Sequence, residues 1–290
     1  MAWYDPLTAH LLDFLCELEK NGLKNPLIIA GGFGLFLKRR YLAERKVRTL
    51  FDDIGDARST QDIDIFVRTD VLCDRQQSQS IVDVLYFLNY EVMDNFKYLQ
   101  WKKTITTGDI KIDFLVGNID DHRQYLHIKK PRARNRQVEG FHAHITPEAL
   151  FINEKALNIP LAGKRSNGEE YKTSVCIPHP FTYLIMKLFA FRDRLDDPIK
   201  RKASHHAFDI FSIIGALTEQ EFNEAIEFGN NHVRESPLQE AIQIVEDSFS
   251  KTSSTGVIAI KNHQLFKKYC EAEQLDDFLQ TLMEVFGAAH

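Results

Sequence analysis

Apolar residues recur along the chain with two different spacings, and each spacing predicts a different element. Over residues 7–19 they recur at helical intervals and predict a helix. Residues 27–30 form a short apolar run, and the glycines after it predict a strand, a sharp turn and a second helix over residues 33–42. An alternating run over residues 62–67 predicts a strand in which Asp62 and Asp64 share one face and Ile63, Ile65 and Val67 share the other.

Two further alternating runs predict a β-hairpin. They cover residues 98–106 and 110–116, and Gly108 lies in the polar turn between them. In the second run, Asp113 shares a face with Lys111, while apolar residues occupy the opposite face. Taken alone, this pattern is typical of an aspartate on an edge strand that is paired with a lysine.

The second half of the chain shows mainly helical spacing. A polar loop is predicted over residues 163–170, and a new segment begins at residues 175–180. Helices are predicted over residues 181–189, 203–217, 219–232, 238–250 and 263–286. The order of elements predicts an α/β (α+β) fold class, in which a mixed-sheet domain, residues 1–177, is followed by a helical domain, residues 178–290.

The composition is typical of a globular protein, because 44% of the 290 residues are hydrophobic. The longest nearly uncharged apolar run, residues 26–37, is far shorter than the roughly twenty residues that a membrane-spanning helix needs. The N-terminus lacks the basic start and apolar core of a signal peptide. No two cysteines have C-x₂-C spacing. We therefore expect a cytoplasmic protein with reduced cysteines and no membrane partner.

Charge is distributed unevenly along the chain. The net charge is −5, and residues 219–290 carry −8, so residues 1–218 carry +3. Basic side chains are densest over residues 122–136, which we interpret as a flexible loop because the run is too polar for a core strand. Two interpretations of this run stay open: a solvated surface, or a contact for the phosphates of an RNA.

Asp62 and Asp64 carry the most specific chemistry in the sequence. In a strand they share one face, at a spacing of about 7 Å. Carboxylate oxygens suit Mg²⁺, which keeps several waters and takes one or two protein carboxylates together with substrate phosphates. Upstream, Gly31 and Gly32 open a predicted helix, whose N-terminus would accept a phosphate group. Metal and phosphate sites together indicate nucleotide chemistry.

Residues 26–117 resemble the nucleotidyltransferase superfamily related to DNA polymerase beta. The matching residues are Gly31-Gly32 opening a helix, Thr60-x-Asp62-Ile-Asp64 in a strand, and the later strand aspartate Asp113. The resemblance implies that Asp62, Asp64 and Asp113 hold two Mg²⁺ ions, with Mn²⁺ as the alternative metal. It also implies that Asp113 is the general base for an acceptor hydroxyl.

A narrower resemblance is to the toxin nucleotidyltransferases of bacterial type IV toxin–antitoxin (abortive-infection) systems. It depends on the pattern Arg58-x-Thr60-x-Asp62-Ile-Asp64 and on a helix lysine followed by basic residues and an aspartate. The nucleotide-binding residues that it implies are Gly31, Gly32, Arg58, Thr60, Lys187, Arg192 and Arg194, and the further catalytic residues are Lys187 and Asp209. The family often has Lys-Asp-x-x-Asp in its second helix, whereas this chain reads His205-His206-Ala-Phe-Asp209.

Two interpretations of Lys187 and Asp209 stay open. They form either a structural ion pair between two helices, or a site in which Lys187 binds the triphosphate and Asp209 orients the lysine.

The predicted reaction moves a nucleotidyl group from an NTP to a hydroxyl, in a site expected between the two domains. The resemblance implies RNA or tRNA as acceptor and a cognate antitoxin, or its gene product, as partner. Enzymes that modify a small molecule such as an antibiotic, or a protein side chain, would use the same carboxylates. A protein that only binds a nucleotide or a partner is the non-enzymatic alternative, and the presence of all three carboxylates argues against it.

Overall fold

The computed structural model describes residues 6–23, 27–51, 60, 62–93, 98–196 and 201–287, apart from the side chains of residues 201 and 202. The chain divides into two compact units. The first consists of Met1–Lys38, Ser59–Pro147 and Asn153–Pro178, and the second consists of Arg39–Arg58, Glu148–Ile152 and His179–His290. The first unit contains a mixed sheet and the second is helical, so the predicted α/β fold class is confirmed.

Ten strands among the described residues form one mixed sheet in the first unit. They are β1 (Ile28–Ala30), β2 (Asp62–Phe66), β3 (Glu91–Val92), β4 (Gln100–Ile105), β5 (Gly108–Val116), β6 (Leu126–Lys129), β7 (Arg132–Asn135), β8 (Ala143–Ile145), β9 (Leu157–Lys164) and β10 (Glu170–Ile177). The main path follows β6-β7-β8-β5-β2-β1-β10-β9, and β4 pairs with β3 and β5. Strand β5 therefore lies inside the sheet, with β2 on one side and β4 and β8 on the other.

The helices are divided between the two units. The first unit contains α1 (Pro6–Lys20), α3 (Thr69–Cys73) and α4 (Arg75–Phe87), and α2 (Gly31–Glu44) begins in it. The second contains α5 (Pro180–Arg192), α6 (Arg201–Gly215), α7 (Glu219–His232), α8 (Ser236–Phe249), α9 (Thr255–Asn262), α10 (Gln264–Tyr269) and α11 (Gln274–Phe286). Within the described ranges, none of these helices has the length and apolar character needed to cross a membrane.

Alternation gives the central strands two different faces. Ile63 and Ile65 of β2 and Ile112 of β5 are fully buried on one face, while the residues between them are only half-buried. Burying an isoleucine side chain stabilises the fold by about 1.5–3 kcal/mol. The apolar face thus fixes the strand register, because a slip of one residue would turn these side chains outward.

Buried charges attach α1 to the turn between β9 and β10. Arg165 Nε donates to Asp13 Oδ1 at 3.1 Å, and Arg165 Nη2 donates to Glu17 Oε1 at 3.0 Å. Asp13 and Glu17 are both buried on α1. Because removing Arg165 would leave two buried carboxylates without this partner, the contact locks the hairpin to the helix.

The core of the second unit is built largely from aromatic rings. Phe211 of α6 lies at its centre, with ring centroids 5.3 Å from Phe51, 5.3 Å from Phe266 and 5.5 Å from Phe278. Tilted and edge-on ring pairs of this kind add about 0.5–1.5 kcal/mol beyond their buried area. The apolar stripes predicted for these helices therefore meet in one cluster.

Two sequence-based interpretations are wrong, and a third is right only in part. Residues 122–136, interpreted as a flexible loop, contain a short 3₁₀ helix and the antiparallel pair β6–β7, which we call the basic hairpin. The polar loop predicted over residues 163–170 is present but shorter, over residues 165–169 between β9 and β10, and residue 175 lies within β10 rather than at the start of a new segment. The single helix predicted over residues 263–286 is two helices, α10 and α11.

Candidate active site

The junction between β1 and α2 requires glycine. Strand β1 ends at Ala30, and Gly31 begins α2 with a φ of +62°. A β-carbon on residue 31 would lie 1.7 Å from Asp64 Oδ2. Gly31 therefore satisfies two demands at once, a left-handed backbone and a carboxylate packed directly against it. Gly32 follows as the second residue of the helix, as predicted.

The sheet register brings the three predicted carboxylates onto one face. Asp62 and Asp64 are two residues apart on β2, and Asp64 is paired directly with Asp113 on the parallel neighbour β5. Directly paired residues of neighbouring strands point to the same side of a sheet. All three side chains are half-buried and lie opposite the apolar face. Asp113 is not the edge-strand residue that its local pattern suggested, because β5 is an interior strand.

Two polar side chains contact these carboxylates. Gln100, paired with Asp113 across β4 and β5, donates a hydrogen bond from Nε2 to Asp113 Oδ2 at 2.8 Å. Lys111 Nζ lies 3.7 Å from Asp62 Oδ1. The lysine that alternation placed beside Asp113 is therefore the partner of Asp62, and Gln100 is the partner of Asp113. Sequence reasoning missed Gln100, since only the β4–β5 register, with Gly108 in its turn, could have identified it.

The pKa of the Asp113 carboxyl group is strongly perturbed. Burial raises its pKa to about 7, the hydrogen bond from Gln100 opposes the rise, and the charges of Asp64 and Asp62 add to it. A carboxyl group with this pKa exchanges a proton near neutral pH. Such values are common where proton transfer is part of the chemistry.

The donor atoms present fit a hard divalent cation. Carboxylate oxygens are the ligands that Mg²⁺ prefers. Asp62 Oδ1 is buried and accepts no hydrogen bond from any described residue, so it has capacity for a further cation. In the described part of the chain, no three His, Cys, Asp or Glu side chains are already gathered as a metal-binding group. The site thus has the right donors on one face, but it is not preformed around a single point.

Arg58 and Thr60 are the other residues of the pattern that contains Asp62 and Asp64, and the structure describes only Thr60. Thr60 Oγ1 accepts a hydrogen bond from the backbone N–H of Asp62 at 3.2 Å, so it fixes the start of β2. Arg58, predicted to bind the nucleotide, lies outside the described residues.

In the second unit, Lys187 and Asp209 form a buried ion pair. Lys187 Nζ of α5 lies 2.7 Å from Asp209 Oδ2 of α6, and the two residues are 8% and 4% exposed. The pairing agrees with the structural interpretation of these residues. Their predicted action on a triphosphate stays a prediction.

The two predicted arginines of this unit lie near the end of α5. Arg192 contacts Asp193 through Nε at 3.0 Å and Glu240 through Nη1 at 3.1 Å, so its guanidinium already has two carboxylate partners. Arg194 follows the helix and is exposed. Nucleotide binding by these arginines likewise stays a prediction.

On α6, the sequence His205-His206-Ala-Phe-Asp209 differs from the toxin pattern, and His205 contacts a second histidine, His263. His205 Nδ1 lies 2.9 Å from His263 Nε2, and His263 Nδ1 accepts from the backbone N–H of Leu265 at 3.3 Å. Because His263 Nδ1 is an acceptor, its proton is on Nε2 and is donated to His205. His205, at the position of the lysine in that pattern, is thus paired with His263.

No protein-family model matches the chain, and no curated protein matches it at a significant level. Among solved structures, the chain is similar to the crystal structure of the Megavirus polyadenylate synthase, with 14% sequence identity and a TM-score of 0.32. The alignment covers 84% of this chain and 39% of that chain, so the chain spans well under half the length of the synthase. A likeness of this strength carries no argument about chemistry, and the assignment of function depends on the residues themselves.

Proposed function

We propose that the chain is a metal-dependent nucleotidyltransferase that moves a nucleotidyl group from an NTP to a hydroxyl. The observation that supports this is the register that places Asp62, Asp64 and Asp113 on one sheet face, beside the glycine start of α2. Asp62, Asp64 and Asp113 would hold Mg²⁺, or Mn²⁺ in its place. When bound, the metal would neutralise the charge of the triphosphate.

The protein's own groups then have distinct tasks. The acceptor oxygen forms a bond to the α-phosphorus of the NTP, the bond from that phosphorus to the β-phosphate oxygen breaks, and pyrophosphate leaves. Asp113 takes the proton of the acceptor hydroxyl. Gln100 holds Asp113 Oδ2, which leaves the other carboxylate oxygen to face the acceptor.

The biological role that we propose is that of a toxin of a type IV toxin–antitoxin system, with a cognate antitoxin as its partner. The support for it is the sequence pattern Arg58-x-Thr60-x-Asp62-Ile-Asp64 together with Lys187 and Asp209. An acceptor that is a small molecule or a protein would use the same carboxylates and give a different labelled product.

The test uses each α-labelled NTP with Mg²⁺ and separate pools of total RNA, protein and metabolites. Asp62→Asn and Asp64→Asn should each abolish label transfer without unfolding the protein, because each removes a carboxylate ligand and relieves like-charge repulsion. Asp109→Asn is the matched control. Asp109 also lies on β5, but it accepts a hydrogen bond from Thr104 and is not one of the three proposed metal ligands. Full transfer by either ligand variant would overturn the proposal.

A further inference from the structure

One face of the sheet connects the carboxylates to the basic hairpin. Asp113 and Leu115 share a face of β5, and Leu115 is paired with His144 of β8. His144 is paired with Arg132 of β7, and Arg132 with Lys129 of β6. Because direct partners point to the same side, the row from Leu115 to Lys129 lies on the face that holds the carboxylates. At about 4.8 Å per strand, Arg132 is roughly 10 Å from Leu115.

We call the polar side chains of β6 and β7 on this face the cationic strip. Its members are His127, Lys129, Arg132 and Arg134, and Lys130 extends it into the turn of the hairpin. His127, Lys129 and Lys130 are exposed, while the two arginines are half-buried. The strip therefore presents its charge to solvent.

Three cations of the strip and its turn, Lys129, Lys130 and Arg134, are not neutralised by a carboxylate of any described residue. Arg134 Nη1 donates to the backbone carbonyls of Asn135 at 2.9 Å and Arg136 at 3.2 Å, which orients the guanidinium without cancelling its charge. Lys129, Lys130 and Arg134 have no carboxylate within ion-pair distance in the described part of the chain. On the opposite face Ala133 is fully buried, so the register of the hairpin is fixed.

We propose that the cationic strip binds the phosphate backbone of a single-stranded nucleic acid whose terminal hydroxyl is the acceptor at Asp113. The proposal rests on the proposed function and names its acceptor. Charge complementarity favours a polyanion, and an exposed aromatic ring favours nucleic acid over an acidic peptide. That ring is Tyr125, which directly precedes β6 and is 55% exposed.

Binding is measured by fluorescence anisotropy with a labelled single-stranded RNA, in EDTA and without NTP. Lys129→Gln with Lys130→Gln should weaken binding and make the slope of log K against log salt shallower by about 1.4, since each lost single-strand contact removes about 0.7. Tyr125→Ala should weaken RNA binding by about tenfold and leave polyglutamate binding unchanged. Lys251→Gln with Lys267→Gln is the matched control, because both lysines are exposed and lie in the second unit.

The outcomes separate this proposal from the proposed function. The two double-lysine variants could show the same slope of log K against log salt for RNA binding while both are folded by circular dichroism. That result would overturn the cationic strip as the binding surface. The Lys129→Gln, Lys130→Gln variant could instead lose RNA binding and polyglutamate binding equally, while Tyr125→Ala has no effect on either. That result would show that the strip binds an acidic protein rather than a nucleic acid. A single-stranded DNA arm tells whether RNA or DNA is bound. RNA binding by the strip without any label transfer by the wild type would leave the surface standing and remove the proposed reaction.

Discussion

Gly31 and Asp64 lie so close together that a β-carbon on residue 31 would be 1.7 Å from Asp64 Oδ2. Gly31→Ala should therefore lower the free energy of unfolding by about 2–4 kcal/mol, because it combines a clash with a left-handed backbone. Label transfer should be lost as well, since Asp64 must move to relieve the clash. Chemical unfolding measured beside transfer checks both effects.

The chain contains a matched control for Gly31. Gly168 also has a positive φ, +89°, but no heavy atom lies within 4 Å of the β-carbon it would carry. Gly168→Ala should show only the backbone strain, about 1–2 kcal/mol. Adding Asp64→Ala to Gly31→Ala should restore the part of the stability that is lost to the carboxylate clash, while the backbone strain remains and transfer stays lost. Equal effects of the two glycine variants would show that the contact with Asp64 is unimportant.

Asp113 should make stability depend on pH in an unusual direction. Burial raises its pKa from the ordinary 3.8 to about 7, so between these values the folded state binds a proton that the unfolded state has released. The free energy of unfolding should thus fall with rising pH over this window, by on the order of 1 kcal/mol per pH unit. Asp113→Asn should remove the dependence. Urea unfolding in EDTA from about pH 4 to 8, for both proteins, measures it.

Other carboxyl groups also contribute, Glu148 in the same direction because burial raises its pKa and Asp70 in the opposite direction, but they do not obscure this comparison. Hydrogen bonds from Arg68 lower the pKa of Asp70, so the stability that Asp70 contributes is lost only as the pH falls below its ordinary value. The difference between wild type and Asp113→Asn cancels that contribution. Parallel stability curves for the two proteins would show that Asp113 titrates normally.

The carboxylate face could be predicted from the sequence because apolar and acidic residues alternate around Asp62, Asp64 and Asp113. Ile63 of β2 and Ile112 of β5 are buried on one face of the sheet. The aspartates next to them in the chain therefore share the opposite face. The partners of these aspartates could not be predicted in the same way. Gln100 and Lys111 reach their carboxylates through the pairing of three strands, and pairing depends on contacts between distant parts of the chain.

The basic hairpin shows why composition misled the interpretation of residues 122–136. Its exposed face carries nearly all of its charge, and only Leu126, Ala133 and Asn135 are buried. Asn135 Nδ2 donates to the carbonyl of Cys73 at 2.6 Å, so part of the anchoring is polar and leaves no apolar signal. Strands held in this way are difficult to recognise from apolar alternation.

The buried contact between Lys187 and Asp209 predicts a stability effect that separates its two interpretations. With Nζ and Oδ2 2.7 Å apart and both residues buried, Lys187→Met should leave a buried carboxylate without its cation and cost about 3–5 kcal/mol. Lys187→Met with Asp209→Leu should recover most of that loss, because an apolar pair replaces the ion pair. Arg194→Met, at an exposed position, is the control and should change the unfolding free energy by less than about 0.5 kcal/mol.

Transfer measured on the same proteins decides what else Lys187 does. If the pair is only structural, the double variant should regain transfer together with stability, because its fold is restored. If the ammonium acts on the triphosphate, the double variant should be folded and inactive, and it should bind NTP more weakly than the wild type does. A Lys187→Met protein that is as stable and as active as the wild type would contradict both interpretations.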